Sequence, residues 1–226
     1  MRSTAVAMRA AEARTIRVLF AVCCICVFVL LAGCRQSTVT YSENLPEDQG
    51  GPISIKLLDS SDEEYSIVRA AGADAQMIFT LDPGEENMSH IKLWVDRYVN
   101  GEKQESVMGI STSLTFDLED SDELLPKIYW TTYPSWEGNP ENWTLAVRQQ
   151  GGVSTGKSVI QGLDYDSTLT QPVAQLSLNP DDTGTLGVLA RNKDRSSVES
   201  NVDVEKMIQD HQEAYVLRCL VSADEE

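Results

Sequence analysis

The 226-residue sequence predicts an all-β fold, an antiparallel β-sandwich with one short C-terminal helix, after an N-terminal signal segment. Three observations carry that class. Short runs alternate apolar and polar residues, as in Ile53/Ile55/Leu57, Met77/Phe79/Leu81 and Leu114/Phe116/Leu118, and period two marks a strand with one face buried. Asn100-Gly101 follows the longest such run, 90–99, and this dipeptide accepts the positive φ angles of a tight hairpin turn. The long strand–helix alternation that a parallel sheet needs is absent.

Taken in chain order, strands are expected at 53–57 and 77–81, then at 90–99 hairpinned into 102–110. Further strands follow at 114–118, 127–133, 143–149, 157–163, 173–178, 185–190 and 215–221. Ser200 with Asp203 resembles a capping pair, and Asp203 and Glu205 suit the positive end of a helix dipole. Val204, Met207, Ile208 and His211 then share one face at helical spacing, with His211 read as a packing residue. Residues 53–226 are expected to form a single domain.

The N-terminus has a different grammar. Arg2, Arg9, Arg14 and Arg17 precede an uncharged, nearly continuous apolar run from Val18 to Leu31, the pattern of a secretory signal. The run is shorter than the roughly 20 residues a membrane-spanning helix requires. It closes on Leu31-Ala32-Gly33-Cys34, an apolar residue, two small ones and a cysteine. Residues 1–34 thereby resemble bacterial lipoprotein precursors, whose lipobox has this form. The resemblance implies diacylglyceryl transfer to the Cys34 sulfur and cleavage between Gly33 and Cys34. It also implies a cell-membrane location on the extracytoplasmic face, or the outer membrane in a Gram-negative cell. The polar stretch 35–52 reads as a flexible tether.

Without residues 1–33 the chain loses four of its 18 basic and one of its 35 acidic side chains, leaving a net charge of −20. Such a surface repels nucleic acid. Of five cysteines only Cys219 lies beyond Cys34, so no internal disulfide framework is available after cleavage. Two histidines, His90 and His211, make a His/Cys zinc site untenable, and no metal or cofactor is expected. The acidic clusters, among them Asp62-Glu63-Glu64, read as a solvated face. The same holds for Asp117, Glu119, Asp120, Asp122 and Glu123, which lack Ca²⁺-loop spacing.

Two motifs look catalytic. Gly151–Ser158 fits the phosphate-binding pattern G-x-x-x-x-G-K-S, in which Lys157 and Ser158 would hold phosphate and Mg²⁺. The flanking segments alternate like strands, so a hairpin is the better reading. Asp164-Tyr165-Asp166-Ser167-Thr168 resembles the D-x-D-x-T signature of haloacid-dehalogenase phosphatases, with Asp164 as nucleophile and Asp166 as acid/base. Only 58 residues follow Thr168, too few for that family's remaining core, and a turn is expected instead. No catalytic residue is assigned.

Tyr129, Trp130, Tyr133, Trp136 and Trp143 fall within fifteen residues. Exposed aromatic faces can stack on sugars or anchor a protein partner. Trp136, Tyr133 and Trp130 are the candidate ligand-binding residues, with Trp136 the best placed for exposure; Trp130 and Trp143 equally suit the core. The sequence therefore points to a non-catalytic envelope module. Its expected partners are the membrane, through the anchor, and an envelope protein or cell-wall glycan.

Overall fold

The structure, a computed structural model, describes residues 53–84, 88–114, 125–134, 140–161, 165–193 and 203–223. It is a sandwich of two antiparallel sheets. The first holds β10 (Gln175–Leu178), β1 (Ile53–Leu57), β2 (Ala75–Asp82), β6 (Lys127–Tyr133), β7 (Pro140–Gln149) and β8 (Gly152–Gln161), in that order. The second runs β4 (Glu102–Lys103), β3 (His90–Val99), β12 (Glu213–Ser222), β11 (Thr183–Asn192), β9 (Ser167–Pro172), with β5 (Met108–Ser113) also paired to β3. Every strand pairing is antiparallel. The Asn100-Gly101 hairpin forms as expected, both residues taking positive φ (50° and 83°). The expected strand at 114–118 falls largely outside the described residues.

Period-two patterning builds the core. Met77 pairs with Trp130, and Trp130 with Leu145, in one inward row; Phe79, Ile128 and Val147 make the next. Across the sandwich Leu93 faces Cys219 in register, Val95 faces Leu217, and Leu189 faces Tyr215. All of these residues are buried.

Among the described residues two helices cover the outer faces, where the sequence predicts one. α2 (Val204–Asp210) is capped by Asp203 itself, whose carboxylate accepts from the amides of Glu205 and Lys206. Its Met207 and Ile208 bury Val188, Ala190, Ala214 and Val216, and His211 packs beneath, its Nδ1 2.7 Å from the Met207 carbonyl. The unexpected α1 (Glu63–Ala70) starts at the Asp62 cap, carries Glu63 and Glu64 in its first turn and Arg69 in its last, and lays Tyr65 on the first sheet. Asp62-Glu63-Glu64 is therefore a helix start.

A bulge between Thr185 and Gly187 in β11 decides what lies at the end of the core. Before it, even-numbered residues such as Gly184, opposite Cys219, face inward. After it, Gly187, Leu189 and Arg191 do. One inserted residue thus turns Arg191 from the outer face to the inner one.

At one flank of the sandwich, β8 lies close against β5. Ser158 Oγ donates to the Val107 carbonyl at 3.0 Å, and the Thr112 and Ser154 hydroxyls meet at 2.7 Å. Gly156 permits this approach: a Cβ there would overlap Ile110 Cγ2, a branched group that cannot swing aside, and would lie 3.4 Å from the Gly109 carbonyl oxygen. Gly156→Ala is accordingly expected to cost about 1–3 kcal/mol by overpacking. Chemical denaturation would show it, and an unchanged midpoint would mean that β5 and β8 are not held together here.

Candidate functional site

The strongest chemistry lies at one end of the sandwich, where inward positions that would ordinarily be apolar are ionic. β3 contributes Arg97, β12 Glu213 and Tyr215, β11 Arg191, and the facing sheet Glu141 and Trp143 from β7. Tyr165 arrives just ahead of β9. Arg191 is 2 % and Glu213 3 % exposed.

The cluster has two halves. Glu213 gathers four donors: Arg97 through Nε at 2.8 Å and through Nη2, Tyr215 through its hydroxyl at 3.0 Å, and Tyr165 through its hydroxyl. Burial pushes the Tyr215 phenol up, and the Glu213 carboxylate pushes it further, so it remains a proton donor. Burial alone would lower the Arg97 guanidinium, but the bond and charge of Glu213 outweigh it and raise it. In the other half, Glu141 Oε2 accepts from Arg191 Nη2 at 2.6 Å and from the Trp143 indole at 2.8 Å. The Arg191 guanidinium carbon stands 5.2 Å from the Tyr165 ring centre, 5.6 Å from Trp143 and 5.7 Å from Tyr215. Its Nε and Nη1 are buried with no hydrogen-bond partner among the described residues.

The residues singled out from sequence fall variously. Gly33, Cys34, Trp136, Asp164 and the Asp117–Glu123 cluster lie outside the described residues. Trp130 offers no surface: it is 2 % exposed and packs edge-on to Trp143 at 5.5 Å. Tyr133, three positions on, points to the opposite face of β6 and is half-exposed, so the two cannot share one stacking platform. The phosphate-loop match is a hairpin and strand: Gly152 enters β8, and Lys157 and Ser158 occupy opposite faces, the first to solvent and the second toward β5. The strand ladder with β7 replaces the helix start that cradles phosphate. Asp166 leads directly into the antiparallel strand β9. Cys219 is fully buried among apolar neighbours, and burial pushes its thiol up to about 12. Among the described residues no three His, Cys, Asp or Glu side chains come together as a metal site.

Two further ionic knots pin the layers. Glu64 of α1 takes Lys127 Nζ at 2.5 Å, Tyr129 Oη at 2.5 Å and Arg148 Nη2 at 2.9 Å. On the outer face of the second sheet, buried Asp96 takes Lys103 Nζ at 2.9 Å and Ser106 Oγ at 2.7 Å. Burial would raise the Glu64 carboxyl, but these donors and the charges of Arg148 and Lys127 hold it below its ordinary 4.5. A depressed carboxyl contributes stability above its unfolded value and loses it as pH falls through the folded one. Stability should therefore decline as the pH drops below 4.5, and less steeply in Glu64→Gln. At neutral pH that variant should be about 1.5–3 kcal/mol less stable. Urea titrations across pH 2–7 (roughly the carboxylate range) would check both, and parallel pH profiles would remove Glu64 from acid unfolding.

By fold and site this is an all-β sandwich protein with a buried aromatic–ionic cluster at one end of its core. The YgaN domain matches residues 54–220, from β1 into β12, and the chain belongs to the YgaN domain family. No curated protein and no solved structure matches it.

Proposed function

We propose that the protein is a lipid-anchored, extracytoplasmic binding module of the cell envelope with no catalytic chemistry of its own. The observation that carries this reading is Leu31-Ala32-Gly33-Cys34 at the close of an apolar, basic-headed segment. Two acyl chains on the Cys34 sulfur would hold the acidic body at the cell membrane, each buried CH₂ contributing about 0.8 kcal/mol. The rigid sandwich is a scaffold for recognition, and an envelope protein or a cell-wall glycan is its expected partner. The two motifs that suggest enzymes give little support to the rival reading. Lys157 and Ser158 diverge, and Asp166 heads a strand.

Intact mass spectrometry of the protein isolated from its own cells should find residues 1–33 removed and diacylglycerol on Cys34. Cys34→Ala should release it from the membrane fraction. An unmodified Cys34 refutes the anchor. Mg²⁺-dependent ATP binding lost in Lys157→Ala, or phosphatase activity lost in Asp164→Asn, refutes the non-catalytic reading.

A further inference from the structure

We infer that the Arg191 end of the sandwich is a binding site for a neutral, hydroxyl-rich ligand of the saccharide class. This rests on the binding-module reading and names its site.

Arg191 is the starting point. Its side chain is 3 % exposed, yet among the described residues only Nη2 has a hydrogen-bond partner, while Nε and Nη1 have none. A buried donor left unmade costs about 1–3 kcal/mol, more when it is charged, so a sequence that stores such donors inside three aromatic rings retains them for something. Placement inward depends on the β11 bulge, which puts a guanidinium where regular alternation would have put Ala190.

The neighbours define the ligand. An anion would approach Arg191 only beside the Glu141 and Glu213 carboxylates, and a cation would meet Arg97 and Arg191. A hydroxyl group suits both, since it accepts from a guanidinium N–H and donates to a carboxylate. Glu141, with its side chain 23 % exposed against 4 % for Glu213, is the carboxylate open enough to receive it. The Trp143, Tyr165 and Tyr215 rings supply the apolar walls against which a sugar's C–H face packs. Access runs past Tyr165. It belongs to no strand, is half-buried, and covers the guanidinium while its hydroxyl is held by Glu213. Displacing that ring uncovers Nε and Nη1.

Isothermal titration of the full-length protein with chitotetraose, cellotetraose and maltotetraose tests the site. At least one should bind. Arg191→Lys keeps a charge beside Glu141 but removes the free planar donors, and should weaken binding about tenfold or more. Glu141→Gln, folded by circular dichroism, should weaken it as well. Failure of all three sugars to bind overturns both the site and the glycan partner, leaving the anchor to be judged by Cys34 alone. Binding that Arg191→Lys leaves intact overturns this site while the glycan-binding reading stands. Tighter binding in Glu141→Gln overturns the neutral class. A crystal structure grown with the sugar that shows only an ordered water on Nε and Nη1 overturns the proposal outright.

Discussion

Glu213→Ala should lower folding stability by about 3–5 kcal/mol, the cost of removing a buried carboxylate on which several donors end. The magnitude follows from the number of groups that one carboxylate satisfies. Two nitrogens of Arg97 and the hydroxyls of Tyr165 and Tyr215 all end on it. Without it the Arg97 charge loses its partner, though at 38 % side-chain exposure water can recover part of that loss. The Tyr215 hydroxyl, buried in the core, has no such recourse. Glu213→Gln keeps the shape and some of the acceptor capacity and should cost less than the alanine variant. The double variant Arg97→Met/Glu213→Leu should recover much of the loss, because apolar groups of similar volume leave no charge buried alone. Urea denaturation of the three variants decides the matter. If Glu213→Ala lies within about 1 kcal/mol of the parent, the network contributes nothing that solvent could not replace.

The half-buried strands were legible because one face of each meets solvent. β1 and β6 coincide with the residues expected, 53–57 and 127–133. Legibility failed where a second layer covers the outer face. In β11 the run Leu186–Asn192 is buried on both sides under α2, so periodicity carried no sign of the bulge that reorients Arg191. β9 is illegible for a different reason: Ser167–Pro172 is polar, with no strong alternation to read. α1 is hidden because Asp62-Glu63-Glu64 reads equally as surface charge or as a cap and first turn, and only the later Tyr65 and Arg69 favour the second. The aromatic cluster was visible in composition, but its partition between faces was not. Tyr129 and Tyr133 point outward on β6 while Trp130 points inward, a consequence of strand register. The ionic row could not be found by local pattern at all, since Arg97, Glu141, Arg191 and Glu213 come from four separate strands.

Trp143→Ala should be as damaging, about 3–5 kcal/mol, because it empties the largest fully buried side chain and leaves a cavity between the sheets. Part of the cost is specific to aromatic geometry. The indole meets Trp130 edge-on at 5.5 Å and Tyr215 at 4.6 Å, contacts worth about 0.5–1.5 kcal/mol each beyond area. The phenylalanine variants separate packing from hydrogen bonding. Trp143 Nε1 donates to Glu141 at 2.8 Å, the same oxygen that Arg191 holds, so Trp143→Phe also removes one of that carboxylate's two donors. Trp130 Nε1 is buried without a hydrogen-bond partner among the described residues, so Trp130→Phe discards an unsatisfied group and offsets part of its lost volume. The two substitutions delete the same atoms from neighbouring rings. Trp143→Phe should nevertheless be the worse by about 1.5–3 kcal/mol, the worth of a hydrogen bond to a charged acceptor. Equal losses in thermal and urea denaturation would mean that the indole–carboxylate bond adds nothing to the position of Arg191, and that packing alone holds this end of the sandwich.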